Sequence, residues 1–146
     1  MTPLRSLLES QGFTRIALKS LKTKHYKFSA KINGVWGEFI LDTGASTSCI
    51  GLESTHHFGL NTKESNIKAA GAGAINMPTR ISKSNQLTIG KFISPRVDFV
   101  IFDLSHVNEA LKQVNEIPIH GILGADILKN QRAVIDYGRN CFYLKQ

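Results

Sequence analysis

The chain has 146 residues, 42% of them hydrophobic and 20% charged, the size and balance of one domain that buries a sizeable core rather than of a disordered chain. Its longest apolar runs, Phe39–Leu41 and Phe99–Phe102, fall far short of the ~20 residues a membrane-spanning helix needs, so a soluble protein is expected. The net charge of +7 gathers early, where Arg5, Arg15, Lys19, Lys22, Lys24, Lys27 and Lys31 meet only Glu9 and Glu38 before Asp42; spread out and without an aromatic motif, these cations favour a solvated face over a nucleic-acid surface.

Thr2-Pro3-Leu4 reads as a helix N-cap followed by proline at the first helical position, with Leu4, Leu7 and Leu8 on one face and Gly12 as the stop. The segment lacks the apolar core and cleavage site of a secretory signal, which points to the cytoplasm. Residues 1–20 are expected to form an N-terminal helix and extension, with the main domain over 21–146. From Tyr26, the alternation Phe28, Ala30, Ile32 meets Asn33-Gly34, a strong hairpin signal, and returns through a strand over Val35–Leu41. Asp42 therefore ends the second strand of a hairpin.

A short strand is expected over Ser48–Leu52, a polar loop over Leu60–Asn66, and strand-like stretches at Thr79–Ile81 and Leu87–Ile89. Ala70-Gly71-Ala72-Gly73 supplies small residues at a hairpin tip, where a backbone can come close to a ligand. Val97–Phe102 reads as a central strand and Ser105–Val114 as a helix. A strand at Ile117–Ile119, a helical turn over Ala125–Lys129, and a hairpin from Ala133–Ile135 to Cys141–Leu144 complete the chain. The class is mainly β with a few short helices.

Phe39-Ile40-Leu41-Asp42-Thr43-Gly44-Ala45-Ser46 carries the chemistry. An apolar strand delivers a carboxylate into a site of low dielectric, a hydroxyl can hold the turn, and glycine permits close approach. Taken by itself, Asp-Thr-Gly also suits an ordinary turn. Some eighty residues on stands Gly121-Ile122-Leu123-Gly124-Ala125-Asp126-Ile127-Leu128. With this second segment, and with the Gly-rich Ala70–Gly73 between them, the chain resembles the retropepsins, single-domain aspartic proteases, and bacterial members more than viral ones.

The resemblance implies a closed β fold in which the Asp-Thr-Gly segment and the Ile-Leu-Gly segment cross in a ψ-shaped loop, working as a two-fold symmetric dimer. It implies Asp42 as the catalytic group and Thr43 and Gly44 as its support, Thr43 reaching across the axis. Ala45, Ser46, Cys49 and Ile122 would line substrate pockets, Ala70, Gly71, Ala72 and Gly73 would form a substrate-covering flap, and Leu123, Gly124 and Asp126 would be structural. Terminal strands around Phe142-Tyr143-Leu144 would interlace between subunits. The flap lacks the tyrosine of pepsin-like enzymes, and residues 1–20 lie outside the resemblance.

Acid–base hydrolysis with carboxylates takes one base and one acid, and the chain contains a single Asp-Thr-Gly and no Asp-Ser-Gly; a second subunit must supply the other. A homodimeric endopeptidase acting on extended peptides is expected, against a non-catalytic peptide-binding or assembly module of the same fold. Other constellations fail. Gly71-x-Gly73 has Asn76 where a dinucleotide fingerprint needs glycine. His56 and His57 are adjacent, and His25, His106 and His120 have no neighbours at ligand spacing. Cys49 and Cys141 make neither a disulfide framework nor a C-x-x-C pair and read as buried thiols. No metal or cofactor is expected.

Overall fold

The computed structural model describes residues 2–71 and 74–146, with the backbone alone described over 65–71 and 74–78. Helix α1 (Leu4–Ser10) leads into strands β1 (Phe13–Ala17) and β2 (Lys19–Ser20), then β3 (Tyr26–Ile32) and β4 (Val35–Leu41). Asn33 and Gly34 both take positive φ, 52° and 83°, the backbone that a tight two-residue hairpin requires and that Asn and Gly tolerate best. The turn sets the β3–β4 register, pairing Ile32 with Val35 and Lys27 with Ile40.

Strand β5 (Cys49–Gly51) ends in a single helical turn, and β6 (Lys63–Gly71), β7 (Ala74–Ile89) and β8 (Phe92–Phe102) follow as an antiparallel meander. The strand stretches expected at Thr79–Ile81 and Leu87–Ile89 are one strand, irregular between Ser82 and Leu87. There the buried Asn85 amide donates to the Ser82 and Val97 carbonyls and accepts from Asn33 at 2.9 Å, tying the bulge to the hairpin turn. Lys63–Asn66 is strand rather than loop, because Lys63, Glu64 and Ser65 pair with Ile81, Arg80 and Thr79.

Helix α2 (Ser105–Gln113), strand β9 (Gly121–Leu123), helix α3 (Ala125–Asn130), and strands β10 (Val134–Asp136) and β11 (Cys141–Lys145) complete the chain. No strand forms at Ile117–Ile119. Pro118 has no N–H to give a ladder, and the Ile119 amide and carbonyl are both taken by the Asn108 side chain, at 2.8 and 3.2 Å.

Eight strands form one sheet in the order β2-β3-β4-β9-β5-β8-β7-β6, and a further β3–β7 pairing bends it round on itself. Its centre is buried on both faces, and successive residues alternate between two clusters. Phe39, Ile50, Ile101 and Leu123 join one, while Ile40, Cys49, Val100 and Ile122 join the other beneath Leu111 of α2.

The second sheet has the order β1-β11-β10. Strand β11 is its middle strand, with Phe142 and Leu144 fully buried in the main core. Both edges of β11 are filled within the chain, so the strand expected to interlace with a second subunit has no free edge to offer. Helix α1 buries Leu8 against this sheet, in a cluster with Phe13, Cys141 and Tyr143, while Leu4 and Leu7 stay exposed. The helix starts after Pro3, without a side-chain cap from Thr2.

Candidate active site

Three short strands build the site. Strand β9 lies between β4 and β5, parallel to the first through Phe39–Gly121, Ile40–Ile122 and Leu41–Leu123, and antiparallel to the second through Cys49–Ile122. The chain leaving β4 thus turns through Asp42–Thr47, and the strand it turns into lies on the far side of β9. The Asp42 amide donates to the Leu123 carbonyl at 3.0 Å, and the Ala45 amide closes the turn on the Asp42 carbonyl at 3.2 Å. One carboxylate oxygen of Asp42 accepts from the Gly44 amide at 2.9 Å.

Asp42 is half-buried, while Thr43, Gly44 and Ser46 are exposed. Ala45, Cys49 and Ile122 come together in the cluster that contains Ile40 and Val100. The Cys49 thiol is pushed up to about 12, chiefly by burial, with a contact to the Ile122 backbone pulling the other way. Ala70 and Gly71 end β6, and Gly71 pairs with Ala74. Ala72 and Gly73 lie outside the described residues.

Gly124 and Asp126 lock the turn from behind. A Cβ on Gly124 would stand 2.6 Å from the Ala45 carbonyl oxygen and 3.1 Å from the Thr47 backbone, so only glycine lets the two segments touch. The Ala125 amide then reaches the Ala45 carbonyl at 2.7 Å. Asp126 Oδ1 accepts from the Ser48 amide at 3.0 Å, the Ser48 hydroxyl at 2.7 Å and the Ile127 amide at 2.8 Å. Ser48 Oγ in turn accepts from the Gly124 amide at 2.8 Å. Leu123 is buried in the main core.

Ser48 has no counterpart among the residues singled out from sequence; a hydroxyl at the head of an apolar strand was the available signal. Lys24, His25 and Tyr26 also went unmarked, yet they line a 200 Å³ cleft with Asp42, Thr43 and Tyr137. The hairpin register held the clue, since extending the Lys27–Ile40 pairing brings His25 level with Asp42. Among the described residues no group of His, Cys, Asp and Glu could hold a metal ion.

A mainly β closed sheet, with an Asp-Thr-Gly turn and an Ile-Leu-Gly strand interlocked at its centre, is a retropepsin-like aspartic protease fold. The aspartyl protease family matches residues 28–127, and the chain belongs to that family. Its fold is similar to that of a retropepsin-like aspartic protease from Rickettsia conorii, with a TM-score of 0.60, 20% identity, and 91% of this chain and 90% of that one covered. The retroviral protease-like domain of Ddi1 from Leishmania major gives a TM-score of 0.55 at 14% identity, covering 88% of this chain and 87% of that one. The EIAV protease, in complex with the inhibitor HBY-793, gives 0.55 at 20% identity, covering 79% of this chain and 95% of that one. The search of curated proteins finds no match.

Proposed function

We propose that the chain is an aspartic endopeptidase that hydrolyses extended peptides with water activated between two Asp42 carboxylates, one from each subunit of a homodimer. The observation that carries this reading is the placement of Asp42: half-buried at the end of β4, anchored through its own amide to Leu123, in a turn whose Thr43 and Gly44 are exposed. A chain with one such turn and an open face around it suits assembly about a two-fold axis. Two carboxylates brought close together do not both ionise, and the shared proton makes one the base and the other the acid. One draws the proton from water as it attacks the peptide carbonyl, and the other protonates the leaving amine.

Thr43 supports the partner's turn across the axis, and Gly44 with the 70–73 segment holds the peptide backbone as an added strand. Small residues at Ala45 and Ser46, half-buried and exposed, suit small apolar groups flanking the cleaved bond, with Cys49 and Ile122 buried in the cluster that packs against Ala45. Residues 21–146 make the catalytic domain, and 1–20 an extension whose strand β1 pairs with β11. Two free, buried cysteines fit a reducing cytoplasm.

The test is incubation with a mixed-peptide library over a pH series, beside an Asp42→Asn control. Cleavage by the native chain and none by the control supports the protease. Peptide binding without cleavage by either would replace it with a non-catalytic module.

A further inference from the structure

His120 stands at the head of β9 and grips Glu38 of β4 with both main chain and ring. Its amide donates to the Glu38 carbonyl at 2.8 Å, and its carbonyl accepts from the Gly51 amide of β5 at 2.8 Å. The Glu38 amide donates to His120 Nδ1 at 2.9 Å. In a continuing ladder that amide would find a main-chain carbonyl, but the one preceding His120 accepts from Asn108 instead. The imidazole nitrogen thus stands in for a backbone acceptor at the end of the sheet.

An accepting Nδ1 requires the neutral ring with its proton on Nε2. His57 stacks on this ring at 4.6 Å and 18°, held by an Nε2 contact of 2.8 Å to the Trp36 carbonyl, and Phe58 meets the ring edge-on at 5.5 Å. Burial, and then His57, hold His120 below the usual histidine range against the opposing pull of Glu38. Glu53 and Asp103 line a 230 Å³ cavity with both histidines, and the Glu38 carboxylate accepts from the Ser29 hydroxyl at 3.1 Å.

We propose that His120 is an acid-sensitive latch on β9: protonation turns its ring acceptor into a donor facing the Glu38 N–H and frees the head of β9 from β4. The stability His120 contributes is fully present above the ordinary histidine value of ~6.5 and is lost as pH falls through it towards the lower folded value. Release matters to the site because Leu123, at the other end of this three-residue strand, holds the Asp42 amide.

Amide hydrogen exchange read by NMR and corrected for intrinsic rates tests this without reference to catalysis. Between about pH 7.5 and 5, spanning histidine titration, protection of the Glu38 and Gly121 amides falls about tenfold or more, while Ile32 in the β3–β7 pairing holds. His120→Asn keeps an Oδ1 acceptor that does not titrate, and its protection stays level. Unchanged protection in the native chain, or an equal loss in the variant, overturns the latch. Ring nitrogen shifts of the native protein give a second measurement that needs no variant. Loss of Glu38 protection that tracks His120 titration supports the proposal, and loss at a different pH overturns it.

Discussion

Ser48 and Asp126, 78 positions apart, are joined twice, the carboxylate accepting from the serine amide at 3.0 Å and from its hydroxyl at 2.7 Å. Ser48 is fully buried, while Asp126, which covers it, is exposed, so truncation lets water replace part of what the carboxylate gives. Asp126→Ala is expected to cost about 2 kcal/mol, whereas Asp126→Asn, which keeps an acceptor, costs about 1 kcal/mol. Urea unfolding of the three proteins checks the order.

Asp42→Asn retains an oxygen to accept from the Gly44 amide, so the turn and the unfolding midpoint stay close to native. Cleavage falls by at least about a thousandfold, within the range for loss of a positioned acid or base. Adding an equal amount of the variant to native chains and allowing exchange leaves roughly half the native activity, because mixed dimers are inactive. Unchanged activity on mixing would show that one chain suffices.

Deleting Cys141–Gln146 removes a strand whose Cys141, Phe142, Tyr143 and Leu144 are at most 1% exposed. At about 1.5–3 kcal/mol for each large apolar side chain, the loss rivals the whole stability of a small domain. The expected product is an unfolded chain rather than a folded monomer. Circular dichroism and sedimentation distinguish the two.

The Cys49 thiol, pushed up to about 12 from 9.0 by burial, supplies about a thousandfold less thiolate near neutral pH than an ordinary cysteine. Iodoacetamide at about pH 8, just below the usual thiol value, should leave it unmodified in the folded chain and label it fully in urea. Peptide mass mapping reads the site, and rapid labelling of the folded protein would contradict the packing around Ile122.

The local features were legible in the sequence because they rest on backbone geometry and short-range pattern. Asn33-Gly34 forces positive φ at two successive positions, so β3, β4 and the position of Asp42 follow from residues within one hairpin. The Asp-Thr-Gly and Ile-Leu-Gly segments were equally visible as motifs. What they do to one another was not. Strands β5 and β9 are buried throughout, as are the ends of β4 and β8 at Phe39–Ile40 and Phe99–Phe102, so each of these stretches reads as a short apolar run with no record of its neighbours. Only the tertiary structure inserts β9 between β4 and β5, closes Ser48 on Asp126, and stacks His57 on His120. It also gives Asn108 the backbone groups of Ile119 that a strand would have used, and makes β11 a central strand instead of a free end. Each of these depends on the order of strands across the sheet, a choice made by packing between segments far apart in the chain.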